Sequence, residues 1–458
     1  MDWQKISQLP DKEFVRALYN ELLGREADEG GLAHYLQLLQ EKKLDRRQIV
    51  RYLKGSAEYR LKHAKSEVPA LVEENLRLLE EEIRQKKTVL TAQPRNFNLD
   101  MIGICNMRPP CAMCTLWENE TGPRYHKGLT VEDVRAFADP IRLAAEVINC
   151  GIGEPLILPD LVPIMGLFAE WEKPLGLNSN GLALTPALTE KLAPYFEYLS
   201  ITFSLDGASK ETYARVRGPH FERVIENIAY YCRRRREVHP EGTASKTAIV
   251  MMPMRVNRHE VADFVRLGAR LDVDAVELRA LNQIDHDWQA EKGGYLFDYR
   301  KEMLSREELA QCQLEAEAAA SVCGIMLDVQ YQVSEEKTFG AFVKEEHQGG
   351  SIKCFQPWHF ILPHQSGETV SCCYMDQSLG DWRQEGLSNL INSKRMQALR
   401  REMAAGKLPM ECRKYISCPV VQANLGASQD VGAKPDGVLL QLAKQARRML
   451  GRIKRRFL

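Results

Sequence analysis

A chain of 458 residues exceeds one ordinary core, so two or three domains are expected. Hydrophobic residues at 44% and charged residues at 27% exclude a disordered chain. Acidic and basic residues balance at 62 each, which excludes a general field for nucleic acid, and no apolar run approaches the ~18 residues of a membrane span. The start, Met-Asp-Trp-Gln-Lys, lacks a secretory pattern, so a cytoplasmic protein is expected. In that reducing setting the clustering of its 12 cysteines points to metal or redox chemistry more than to disulfides.

In chain order, residues 1–64 read as compact helices. Phe14, Leu18 and Leu22, then Leu32, Leu36 and Leu39, fall at helical spacing, and Gly24 and Gly30-Gly31 interrupt them. The string FVRALYNELLGREADEGGLAHYL, with SAEY at 56–59, resembles a small helical module of unknown function that is related to phycobilisome linkers and recurs in polysaccharide-associated proteins. That resemblance implies a docking or spacer role and no chemistry. A connecting helix is expected within 65–95.

From Asn96 short strand-like runs alternate with amphipathic stretches: Leu99–Ile104, Ala145–Asn149, Leu175–Asn178, Tyr198–Phe203, Thr247–Met251 and Ala275–Leu278. The alternation predicts an α/β fold over 96–308, a full or partial barrel of parallel β/α units with its chemistry at the C-terminal strand ends. A bridging helix is expected at Leu309–Ala320, within a connecting region 309–350. A cysteine-bearing segment at 351–425 follows, then a linker and a tail at 426–458.

Cys105, Cys111 and Cys114 stand as C-x5-C-x2-C on the loop after the first predicted strand. Thiolates are the usual ligands of iron–sulfur clusters, and three of them leave one iron of a [4Fe–4S] cluster open to a small chelating molecule. A structural zinc site is the alternative, and it needs a distant fourth ligand. Further along, Cys150-Gly-Ile-Gly-Glu-Pro follows the second strand, Asn178-Ser-Asn-Gly the third, and Ser204-Leu-Asp-Gly the fourth.

With one motif per strand end, in order, the chain resembles the radical S-adenosylmethionine (SAM) superfamily over about two hundred residues. The resemblance implies that Cys105, Cys111 and Cys114 each ligate one iron and that SAM chelates the fourth. It places Gly151, Gly153 and Glu154 at the methionine amino group, Ser204 and Arg217 at the carboxylate and ribose, and Asn180 at the ribose. Met113 stands where an aromatic residue often packs near adenine. The loop is two residues longer than the superfamily's commonest C-x3-C-x2-C and contains Pro109-Pro110. The implied activity is reductive cleavage of SAM to a 5′-deoxyadenosyl radical that takes hydrogen from a substrate C–H bond. No catalytic acid, base or radical-quenching residue is selected.

Cys354 in Lys-Cys-Phe-Gln-Pro-Trp, Cys372-Cys373 after Gly367, and the Cys412 to Cys418 pair resemble the SPASM extension, making the expected fold a partial (β/α)6 barrel between an all-α module and a small SPASM-like α+β extension. One auxiliary [4Fe–4S] cluster on Cys354, Cys372, Cys412 and Cys418 is implied, with Cys373 a possible substitute; structural zinc is again the alternative. Cys232, Cys312 and Cys323 read as packing residues, and Cys150 as packed behind the glycine strip. Asp206 reads as a loop residue.

Residues 437–458 carry an apolar stripe among Lys and Arg with no acid. Such a helix suits an anionic membrane surface, a cap on the protein or an acidic partner. The expected substrate is a carbohydrate or other metabolite, following the N-terminal module, with peptide maturation as the alternative. A flavodoxin- or ferredoxin-type electron donor is implied. A non-catalytic iron–sulfur carrier or sensor and a zinc-stabilised binding protein are the readings of another class.

Overall fold

The computed structural model describes residues 1–41, 44–114, 128–281, 289–331, 354–375, 377–414, 418, 420 and 421. The linker and basic tail beyond 421 lie outside the described residues. Among the described residues, no helix is long and apolar enough to cross a membrane.

The strands are β1 (Asn96–Leu99), β2 (Glu146–Asn149), β3 (Leu175–Ser179), β4 (Leu199–Ser204), β5 (Thr247–Met251) and β6 (Ala275–Leu278). After these come β7 (Gln289–Lys292), β8 (Tyr295–Asp298), β9 (Met326–Val329), β10 (Phe360–Pro363), β11 (Glu368–Val370) and β12 (Gly380–Asp381). β1 to β6 lie side by side in chain order, all parallel, as a singly wound partial barrel. The helices between them cover one face. Phe97, Phe168, Phe203, Phe264 and Val276 are fully buried where strands meet helices.

Four strands extend this sheet beyond the expected six. β9 pairs in parallel with β6, and β10 pairs in parallel with β1. β11 and β12 continue the sheet antiparallel from β10. The auxiliary region is therefore hydrogen-bonded into the barrel's own sheet.

The first strand begins earlier than Leu99–Ile104. Asn96 and Asn98 are buried inside β1, and their polarity hides a strand that both neighbours cover. By Asp100 the chain is leaving the sheet, with single bridges at Asp100–His364 and Ile102–Gly128. The bridging helix is longer than expected, running Arg306–Cys323 with Ser305 and Glu308 forming a capping box.

At the N-terminus, the helices Asp11–Leu18 and Arg46–Lys54 bury Phe14, Val15, Leu18, Ile49 and Val50 in a separate small core. Asp45 and Gln48 cap the second helix reciprocally. The helix Glu29–Gln40 has no fully buried residue. This module sits against the N-terminal ends of the strands. Gln48 Nε2 donates to Asp274 O at 3.0 Å, Arg47 Nε to Pro240 O at 3.0 Å and Lys54 Nζ to Gly242 O at 2.9 Å. It covers the face opposite the functional loops. The helix Val68–Arg84 then carries the chain up to β1.

Candidate active site and auxiliary thiol group

The C-terminal ends of β1 to β4 meet in one bonded network. The loop after β1 carries the three cysteines. Cys111 is buried, whereas Cys105 and Cys114 are half-buried. Ala112 N donates to Val216 O at 2.8 Å, which fixes the loop to the end of the helix Lys210–Val216.

Donors surround the thiols. Met107 N and Asn180 Nδ2 each lie 3.5 Å from Cys105 Sγ, and Arg217 Nη1 lies 3.4 Å from Cys111 Sγ. Burial pushes the Cys105 thiol up to about 11, partly opposed by the Met107 N–H. Such a thiol ionises when a metal replaces its proton.

Among the described residues no three Cys, His, Asp or Glu side chains converge on one point as a single bound ion requires. A four-iron cluster asks for less convergence, since each thiolate takes its own iron. Three thiols, two of them with N–H donors at their sulfurs, fit such a group.

The glycine strip after β2 lies against this loop. A Cβ on Gly153 would stand 1.9 Å from Ile102 O, and one on Gly151 would stand 2.1 Å from Asp100 Oδ1. Both glycines are thus required for the strip to approach the loop after β1, a reason internal to the protein.

Glu154 has every acceptor occupied. Its Oε1 accepts from Ser179 Oγ at 2.8 Å and Leu156 N at 3.0 Å, and its Oε2 accepts from Asn180 N at 2.7 Å. Burial raises its carboxyl while these donors pull it back. The side chain therefore ties the end of β2 to that of β3. Asn180, in turn, donates to Asn106 Oδ1 at 2.8 Å as well as facing Cys105.

Ser204 is the last residue of β4 and is half-buried. Asp206 adopts φ +54°. It accepts from Arg217 Nε at 2.8 Å and Met252 N at 2.6 Å, and its carboxylate also pairs with Arg217 Nη2. Asp206 is thus both a turn residue and the anchor of Arg217. Burial opposes the Arg217 charge, but Asp206 and the Cys111 sulfur outweigh it and raise the guanidinium above its ordinary range. Met113 is half-buried beside Ala112 and Val216.

Four of the downstream thiols, Cys354, Cys372, Cys412 and Cys418, line one apolar pocket with Met375, Leu399, Met403 and Leu408. Burial pushes Cys354 up to about 11 and Cys412 up to about 12. A set of four thiols in an apolar wall fits a closed cluster. Cys373 is exposed and lies outside that pocket's lining. It accepts from the Cys372 thiol, which lowers it.

Cys150 is half-buried and within electrostatic reach of Cys373, Asp100 and Arg279. His364 Nδ1 lies 3.0 Å from Asp100 Oδ2, and Arg279 pairs with Glu277 at 2.5 Å. These groups, with Lys292 of β7, carry no sequence motif, and the partners of His364 and Lys292 lie far away in the chain. Cys232 and Cys312 are buried in the core, and Cys323 packs against it.

Comparison with known families gives three consecutive matches. The radical SAM superfamily matches residues 99–268, and an iron–sulfur cluster-binding domain (SPASM) matches 354–419. Residues 99–268 thus carry a radical SAM domain and residues 354–419 a SPASM domain. The cofactors are accordingly SAM and iron–sulfur clusters, one on the radical SAM domain and an auxiliary one on the SPASM domain.

Residues 3–63 match a domain of unknown function, DUF4214. The chain is 26% identical over 171 residues to the mycofactocin maturase MftC of Mycolicibacterium smegmatis, covering 36% of this chain and 39% of that protein. It is 30% identical over 143 residues to the AdoMet-dependent heme synthase of Methanosarcina barkeri, covering 30% and 39%. The chain thus spans about two-fifths of the length of these curated relatives. The structure of Streptococcus suis SuiB bound to the precursor peptide SuiA shares the fold, with TM-score 0.54, 13% identity, and coverage of 77% and 75%.

Proposed function

We propose that this protein is a radical SAM enzyme that modifies a peptide. Cys105, Cys111 and Cys114 would hold the open cluster, while Cys354, Cys372, Cys412 and Cys418 would hold the auxiliary one. One observation carries the reading of the first site: the ends of β1 to β4 are joined by bonds that all lead to the cysteine loop. Glu154 links β2 to β3, Asn180 reaches Cys105, and Arg217, held by Asp206, reaches Cys111.

When bound, SAM and the open cluster supply the radical that takes hydrogen from a C–H bond. The chain's own part is placement. Gly151 and Gly153 bring the strip close, leaving its backbone groups as the partners for a methionine amino group. Glu154 supports that strip from behind with all its acceptors occupied. Ser204 and Arg217 would face the carboxylate and ribose, Asn180 the ribose, and Met113 the adenine. The N-terminal module covers the strand ends away from this site. The proposal includes a flavodoxin- or ferredoxin-type electron donor.

A peptide is favoured over the carbohydrate expected from the N-terminal module. That expectation rested on association, and the module matches only a domain of unknown function. MftC is named as a maturase, and the SuiB structure holds a precursor peptide.

Anaerobic purification and reconstitution test the proposal. The expected result is about eight irons per chain for two four-iron clusters, with 5′-deoxyadenosine released on adding dithionite and SAM. Iron-free protein after reconstitution, or intact SAM after reduction, sinks it. Candidate precursor peptides added to that mixture should gain a mass change; a change confined to a sugar or tetrapyrrole substrate sinks the peptide reading alone.

A further inference from the structure

The cysteine loop is two residues longer than the common spacing because it includes Pro109-Pro110. Prolines bring no N–H of their own, so this stretch must find its donors elsewhere. A single side chain supplies them. Lys292 Nζ donates to Pro109 O and to Pro110 O, each at 2.7 Å.

Lys292 is 6% exposed, at the end of β7. Burying an ammonium costs several kcal/mol unless it is paired, so the position must repay that cost. The hairpin is built to deliver it. Gly293 and Gly294 turn the chain with φ +56° and +73°. A Cβ on Gly293 would stand 2.6 Å from Ala214 O, so the turn presses onto the helix Lys210–Val216. Ala290 and Phe297, from the two strands, share one apolar cluster with Ala112 of the loop and Val216 of that helix. Cys105, Cys111 and Cys114 all lie within electrostatic reach of the ammonium.

We infer that Lys292 is a positioning residue that clamps the lengthened cysteine loop and sets a positive charge against its three thiolates. The inference rests on the reading of these cysteines as cluster ligands. Its charge would favour the reduced, more negative cluster, and the two proline carbonyls hold that charge in place.

The test uses the full chain. Lys292→Met removes the charge and the donors at similar length, and Lys292→Gln is a second neutral variant should Met impair folding by circular dichroism. EPR-monitored titration follows the cluster signal that disappears in Cys105→Ala. In the neutral variants the reduction equilibrium of that signal should fall about tenfold, which is 59 mV for a one-electron couple. Amide exchange over residues 105–114 of the metal-free chain should quicken about tenfold. Lys292→Arg should restore the potential. An unchanged potential together with unchanged exchange overturns the inference. A wild-type chain that takes up no iron removes the cluster reading and the charge role with it; exchange then still decides the clamp.

Discussion

The two thiol groups of this chain differ in what surrounds them. The loop after β1 meets polar donors on several sides: Asn180 and Met107 N–H at Cys105, Arg217 at Cys111. The downstream group lines a wall of Leu and Met side chains. Hydrogen bonds to sulfur and access to solvent are the main ways a protein tunes an iron–sulfur centre. The contrast suits an open centre that must receive a charged cofactor and a closed one isolated from it. It also shows how one residue type is turned to two uses by its neighbours alone.

The largest effects should come from breaking one group while sparing the other. Cys111→Ala should remove about four irons per chain and abolish SAM cleavage, and Cys412→Ala should remove a similar number while leaving the first cluster's EPR signal. Loss of all iron in either variant would show that the two groups are not independent.

Next in size is the support of the second group. Arg400 is fully buried and donates to Pro357 O, Thr88 O and Ile391 O, each at 2.9 Å, and to Asn392 Oδ1 at 3.0 Å. Burial pulls its guanidinium down to about 10. Arg400→Met removes these four bonds and should cost about 3 kcal/mol in urea unfolding. A cost below about 0.5 kcal/mol would mean that water replaces the side chain.

Asn180→Ala sharpens the first half of the contrast. Losing a donor to Cys105 should slow SAM cleavage by about 10–100-fold and spare the iron content of the second group. Equal slowing in a variant of the apolar wall, such as Leu399→Ala, would erase the distinction.

The smallest effect is one of pH. Cys105, Cys354 and Cys412 have thiols raised by burial to about 11 or 12, so these three are protonated in the metal-free chain at neutral pH. Loading displaces those protons, so apparent iron affinity should rise with pH, about tenfold per unit for each proton released. Flat loading between pH 7 and 9 would argue that the thiols are already ionised.

Much of this was legible in the chain. The strand-end motifs named their residue types, and β2 to β6 fell close to the expected runs because their apolar residues are local signals. β1 was misplaced because buried Asn96 and Asn98 look like loop residues. The motif points Glu154 to the cofactor, and its three donors within the chain come from later residues that the motif does not announce. Lys292 and the His364–Asp100 pair had no signal, since a contact across about 180 or 260 residues leaves no periodicity.

The parallel pairing of β10 with β1 has a mechanical consequence. The first strand leads directly into the cysteine loop, and the β10–β11 hairpin beside it runs back to Cys372, so both cysteine groups hang from one continuous sheet. Their separation is set by backbone hydrogen bonds rather than by a hinge. On the proposed reading of both groups as cluster sites, an electron passing between them would need no domain motion.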